Sequence, residues 1–157
     1  YFVRLRHDVA VRGVRFEGAE TAQAAPGVME ALHDADSIIV CPSNPVVSIG
    51  PVLVVPGIRE ALMARRERVA AVSPIVAGSA LKGPADRLMA ELGTEPSVVG
   101  VARLYAPWVG TLLVDVADAH HADAVEAEGL RCVVTPTVMD SPQRAEELAR
   151  AVVDAAS

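Results

Sequence analysis

Residues 38–58 read IIVCPSNPVVSIGPVLVVPGI, a stretch that is apolar enough for a core yet holds four prolines, two glycines, two serines and an asparagine. The β-branched run Ile38-Ile39-Val40 after Ser37 predicts a short buried strand over 37–40. Pro56 then opens a predicted helix. Ile58 and Leu62 share one face, Glu60 lies near its start, and Arg65 and Arg66 stand at its end, where cations suit the macrodipole. A strand followed by a helix is one βα unit, and the residues between them decide what the unit is for. Ser43-Asn44-Pro45 has two readings at this point. It is an Asx-turn that stops the strand, or the start of a ligand loop.

The same alternation continues along the chain. A helix is expected over 26–35, with Pro26 in its first turn and Val28 and Leu32 four apart. A second buried run spans 69–76. Gly83-Pro84 opens a helix that runs to Leu92 and is closed by Gly93. Ser97 caps a helix toward Tyr105. Further strands are expected over 111–116 and 131–135, with a helix over 122–128, stopped by Gly129, between them. Ser141-Pro142 caps a last helix over 143–156. The irregular alternation at 11–16 reads as a peripheral strand. Strands alternating with helices predict an α/β fold, a mostly parallel sheet covered on both faces. Continuous apolar runs such as 112–116 belong to strands buried on both sides.

Composition narrows the function classes. The 157 residues carry a net charge of −6, which argues against a general nucleic-acid surface. Arg65, Arg66, Arg68, Arg144 and Arg150 sit among acids or at a helix end and read as a solvated face. Hydrophobic residues make up 52% of the chain and aromatics 3%, so the core is built from Val, Leu, Ile and Ala. Cys41 and Cys132 form no CxxC pattern and read as buried thiols near strand ends in a reducing cytoplasm. Pro51, Pro56 and Gly57 interrupt the longest apolar stretch, so no membrane span is expected. The chain opens Tyr-Phe-Val-Arg-Leu-Arg-His without Met, as if inside an amphipathic segment, and a fragment of a longer protein is expected.

Ligands of parallel α/β sheets bind outside the carboxyl ends of the strands. The informative loops are therefore 41–56, 73–84, and those after Asp115 and Pro136. The first offers Ser43, Asn44 and Ser48, with backbone N–H groups around Gly50 and Gly57, and Pro42, Pro45 and Pro51 stiffen it. The second, from Ser73 on, reads SPIVAGSALKGPADRLM. Gly78 and Gly83 allow close backbone approach. Lys82 precedes a helix start that favours an anion. Asp86 serves either a ligand or the helix dipole. Asp115 and Asp118 are a possible metal pair, but two carboxylates define no site. His120-His121 lacks spaced partners and reads as surface. Trp108 reads as a packing residue.

Taken together, PSNPVVSIGPVLVVPGIREAL (42–62) and VSPIVAGSALKGPADRLM (72–89) resemble the phospholactate transferase family of deazaflavin coenzyme F-420 biosynthesis. LLVDVAD (112–118), GLRCVVTPTVM (129–139) and the opening YFVRLRHDV and VRFEGAE fit the same order. The resemblance implies a Rossmann-like core. It also implies a phospholactyl or phosphoenolpyruvyl group moved from a guanosine diphosphate-linked donor to the ribityl hydroxyl of the deazaflavin, with GMP leaving. Magnesium is implied, its ligands and a Gly-rich loop lying upstream of this chain, so the chain alone is expected to be inactive. A homodimer is implied as well. By position, Ser43, Asn44 and Pro45 would line the reacting-phosphate side. Ser73, Gly78, Lys82, Gly83 and Asp86 would form the second wall. Cys41 stands where a small residue is expected, and whether it narrows the pocket is open. The rival reading is a non-catalytic regulator on the same fold that binds a nucleotide or nucleotide sugar.

Overall fold

The computed structural model describes residues 4–5 and 8–157. Four parallel strands form its sheet: β1 (Ile38–Val40), β2 (Val69–Val72), β5 (Thr111–Val114) and β6 (Arg131–Val134), side by side in that order. A two-residue hairpin, β3 (Ile75–Val76) with β4 (Ser79–Ala80), rises from the end of β2. The helices are α1 (Val28–Asp34), α2 (Gly50–Leu53), α3 (Ile58–Ala64), α4 (Ala85–Glu91), α5 (Val98–Tyr105), α6 (Ala122–Ala127) and α7 (Pro142–Ala155). This is an α/β, Rossmann-like arrangement. The register is nearly level: Val40 lies opposite Ala71, Val72 opposite Leu113, and Val114 opposite Val134. All four carboxyl ends therefore finish at one edge of the sheet, and the loops that follow emerge there side by side.

Burial follows from position in the sheet. In the central strands β2 and β5 every residue is buried, as the unbroken apolar runs predict. Alternate side chains go to opposite faces. Val69, Ala71, Leu112 and Val114 join the larger cluster with Ile58 and Leu62 of α3, Met89 of α4, α5 and Val125 of α6. Ala70, Val72 and Leu113 meet Leu148, Val152 and Ala155 of α7. Each such Leu or Val contributes about 1.5–3 kcal/mol by burial. Edge strand β1 departs from the expectation of a fully buried strand. Ile38 and Val40 pack against the larger cluster, while Ile39 turns to the α7 face, where it is 42% exposed.

Several local expectations hold. Ser97 Oγ accepts the Gly100 amide at 3.1 Å and starts α5. Ser141 Oγ accepts the Arg144 amide at 3.2 Å and starts α7. Trp108 packs on Tyr105 with ring centroids 4.7 Å apart, and its Nε1 donates to the Leu104 carbonyl. Others are corrected. The stretch 11–16 is not a strand. The Val11 amide donates to Glu91 Oε2 at 2.7 Å, and no strand among the described residues pairs with this segment. Pro26 and Gly27 form a turn before α1 rather than its first turn. The amphipathic reading of the opening heptad falls largely on residues 1–3 and 6–7, outside the described residues.

Two of the arginines read as solvated instead bind carbonyls at the amino-terminal edge of the sheet. Arg65 donates from Nη1 to Leu32 O at 2.6 Å and from Nη2 to Ala35 O, holding the carbonyl end of α1. Arg66 donates to Val109 O at 3.0 Å and to Gly129 O. Arg131 works alike on Thr111 Oγ1 and Ala155 O. Arg144 and Arg150 do stay on a solvated helix face, paired with Glu147 and Glu146. The edge opposite the post-strand loops is thus pinned by guanidinium forks.

Candidate functional site

The loop after β1 is less loop than the sequence implies. Residues 45–49 form a wide π-type helical turn, with the Ser48 and Ile49 amides both donating to Asn44 O at 3.1 and 3.0 Å. That turn runs directly into α2. Asn44 is its cap: Oδ1 accepts the Val46 amide at 2.9 Å and the Val47 amide at 3.1 Å. Pro45 suits the first helical position, where its missing N–H costs nothing. The Asx-turn reading is therefore correct as local structure. It also fixes the carboxamide. With Oδ1 occupied, the NH2 group is the part of Asn44 left to donate elsewhere.

A cavity of about 650 Å3 lies where this turn meets two other post-strand loops. Pro42, Ser43, Asn44, Val47 and Ser48 form its first wall. Ser73, Pro74, Val76, Leu81, Lys82 and Gly83 form the second, and Thr137, Val138, Met139 and Asp140 after β6 the third. The walls are mostly apolar, and Leu81 and Met139 are more than half exposed. Lys82, the sequence's single lysine, is the cavity's cation, and Asp140 is its carboxylate. No acid forms an ion pair with Lys82 among the described residues.

Six residues singled out from the sequence thus come together: Ser43, Asn44, Ser48, Ser73, Lys82 and Gly83. The Ser73 hydroxyl is already occupied, donating to Ile75 O at 3.0 Å and accepting the Ile75 amide at 3.1 Å. It shapes the chain's exit from β2. Pro45 and Gly50 line a different cavity of about 430 Å3, with Phe16, Arg59, Tyr105 and Trp108. A Cβ on Gly50 would stand 3.1 Å from the Phe16 ring. Gly78, at the hairpin turn, and Asp86, in the first turn of α4, line neither cavity. Cys41 is exposed and outside the lining, so it does not narrow the pocket, and Cys132 is only half-buried. The expectation of two buried thiols is corrected: both sit on edge strands or just past them.

The segment after β5 holds the least expected arrangement. It contributes nothing to the lining, although the sequence marks it as a ligand loop. Asp115 is 5% exposed, and its Oδ2 accepts the Thr137 amide at 2.7 Å and the Thr137 hydroxyl at 3.1 Å. Its Oδ1 accepts the Ala117 amide at 3.0 Å and caps the 3-10 turn Val116–His121. Burial pushes this carboxyl's pKa up, but the Thr137 and Ala117 amides and the Thr137 hydroxyl outweigh it and hold it below its ordinary value. Asp118 is 2% exposed and accepts the Ala77 amide at 2.9 Å on Oδ2. The two carboxylates diverge toward different loops. They do not form a metal pair, and no group of three or more His, Cys, Asp or Glu among the described residues could hold a metal ion. Asp115 and Asp118, engaged by backbone amides, do not fit the magnesium implied by the resemblance. The sequence singled out no residue of the third wall, 137–140. Its signals were Pro136 at the end of a strand and the motif GLRCVVTPTVM, which runs through residues 137–139.

The family model described as 2-phospho-L-lactate transferase CofD matches residues 1–156. A phosphoenolpyruvate transferase of Kitasatospora aureofaciens is 45% identical over 151 residues, covering 96% of this chain and 47% of the relative. One of Mycolicibacterium smegmatis is 39% identical, covering 99% and 48%. A 2-phospho-L-lactate transferase of Methanosarcina mazei is 37% identical, covering 99% and 50%. The chain spans about half the length of these curated relatives. The match takes in the Ser43-Asn44 turn, the hairpin and the post-β6 loop together, and the chain belongs to the 2-phospho-L-lactate transferase CofD family.

Proposed function

We propose that the protein to which these residues belong moves a phospholactyl or phosphoenolpyruvyl group from a guanosine diphosphate-linked donor to the hydroxyl of a deazaflavin, in coenzyme F-420 biosynthesis. The acceptor oxygen bonds to the phosphorus that carries the lactyl or enolpyruvyl group. The phosphoanhydride bond to GMP breaks, and the hydroxyl proton is released. The observation that carries this reading is the convergence of three post-strand loops on one cavity in a chain of this family. Its apolar walls suit a ring system. Lys82 supplies positive charge for a phosphate, and Ser43, Ser48 and the Asn44 NH2 supply oriented donors.

Magnesium and the residues that hold it belong to a segment outside these 157 residues in this reading, as does a Gly-rich loop. Homodimerisation and a cytoplasmic location complete it. Among the described residues no single helix is long and apolar enough to cross a membrane. The test is turnover by the full-length protein with donor, deazaflavin and Mg2+, followed by the mass of the coupled product. Product is expected from the full protein and none from residues 1–157 alone. Saturable binding of a nucleotide sugar with no response to deazaflavin would instead establish a regulator.

A further inference from the structure

We propose that Asp118 is a positioning residue that sets the second wall of the cavity, with Asp115 doing the same for the third, both from a segment that never touches the ligand space. The inference rests on the reading of that cavity as the ligand site. Four observations lead to it. Strand β5 lies between β2 and β6, yet the segment after it is the one post-strand connection absent from the lining. Its two acids are among the few buried polar residues, at 5% and 2% exposure. Neither pairs with a cation among the described residues, and both accept backbone amides from the neighbouring loops instead. A buried carboxylate without hydrogen bonds is strongly disfavoured, so each acid holds its loop as firmly as the loop holds it.

Asp118 grips the hairpin at a conformationally unusual point. Ala77 has φ +51°, the only described non-glycine residue with positive φ. An alanine in this region costs on the order of 1 kcal/mol, and a compensating contact is expected to sustain it. The bond from the Ala77 amide to Asp118 Oδ2 is that contact. The turn at 77–78 sets the path of β4, and β4 leads straight into Leu81 and Lys82, which face the cavity. Asp118 therefore controls where the chain's single lysine stands, at one remove. On the other side Asp115 fixes Thr137, from which Val138, Met139 and Asp140 continue along the third wall. The gap between the two walls is the distance between two loops that share this anchoring segment.

The experiment uses the full-length protein and GMP as probe. Asp118→Ala is compared with Asp118→Asn, whose carbonyl oxygen can take the place of Oδ2. Three readouts are taken: GMP affinity, hydrogen exchange at the Ala77 amide, and the acylation rate of Lys82. Asp118→Ala is expected to exchange at Ala77 at least tenfold faster, to change the Lys82 rate, and to bind GMP at least tenfold more weakly. Asp118→Asn is expected within threefold of the parent on all three. Adding Ala77→Gly to Asp118→Ala relieves the backbone strain, and is expected to restore stability without restoring affinity. Faster exchange at Ala77 with unchanged GMP affinity overturns the positioning role. So does recovery of affinity by Ala77→Gly, because strain alone would then explain the loss. If the parent does not bind GMP, the ligand reading fails separately. An unchanged Lys82 acylation rate in Asp118→Ala would then overturn the positioning role by itself.

Discussion

Replacing Asp115 with Asn removes one oxygen from a side chain that uses both. Oδ2 serves two donors of Thr137 and Oδ1 serves the Ala117 amide. Asn can satisfy Thr137 only by turning its NH2 toward the Ala117 N–H, donor against donor. The lost cap costs about 1 kcal/mol. Weakening the charge-assisted bonds at a site 5% exposed adds about 1–2 kcal/mol, giving a loss of about 2–3 kcal/mol near pH 7. Asp115→Ala strands all three donors and is expected to lose about 4–5 kcal/mol. The pH dependence has a definite sign. The carboxyl's pKa is lowered in the fold, so its contribution is complete above the unfolded value of about 4 and disappears as pH falls through the lowered folded value. The gap between parent and Asn variant must therefore shrink in acid. Urea unfolding followed by Trp108 fluorescence reads this, since Trp108 is the only tryptophan of these 157 residues and is 1% exposed. A gap under about 0.5 kcal/mol at pH 7, or a gap that stays constant from pH 7 to pH 3, would refute the reasoning.

Other perturbations separate fold from ligand contact. Asn44→Asp keeps an oxygen for the Val46 and Val47 amides but replaces the NH2 donor with a negative oxygen. Urea stability should be preserved while GMP affinity falls, whereas Asn44→Ala should also lose about 1 kcal/mol of stability; equal GMP affinity of Asp and Asn proteins would argue against a phosphate on this side. Lys82→Met should weaken GMP binding roughly tenfold or more and flatten its salt dependence, as expected for loss of a charge-assisted bond of about 1.5–3 kcal/mol. A titration at two ionic strengths decides this, and an unchanged salt slope contradicts it. Gly100→Ala places a Cβ 1.9 Å from the Glu95 carbonyl oxygen inside buried α5. Overpacking of this kind typically costs about 1–3 kcal/mol despite the better helix propensity of Ala, and a raised melting temperature would be the contrary result.

The sequence by itself determined the order and type of the elements. Val69 to Val72 and Thr111 to Val114 could be read because central parallel strands are buried on both faces and need no polar alternation. The caps at Ser97 and Ser141 could be read because a cap is a contact between near neighbours. The two loops carrying Ser43-Asn44 and Lys82-Gly83 could be placed at the carboxyl edge of the sheet for the same local reason, each following a strand. What escaped the sequence depends on partners far along the chain. Segment 11–16 alternates like a strand, but Glu91 takes its Val11 amide, 80 positions away. Arg65 and Arg66 carry charges that look solvated until the carbonyls of residues 32, 35, 109 and 129 arrive beside them. Gly50 follows the Asn44 turn in sequence, yet the π-type turn rotates it toward Phe16 and the other cavity. Asp115 and Asp118, three apart, resemble a metal pair in one dimension. In three dimensions the strand order puts β5 between two loops, and the acids part to hold one each. A sequence states which residues can accept a hydrogen bond; only the assembled sheet decides which amides come within reach.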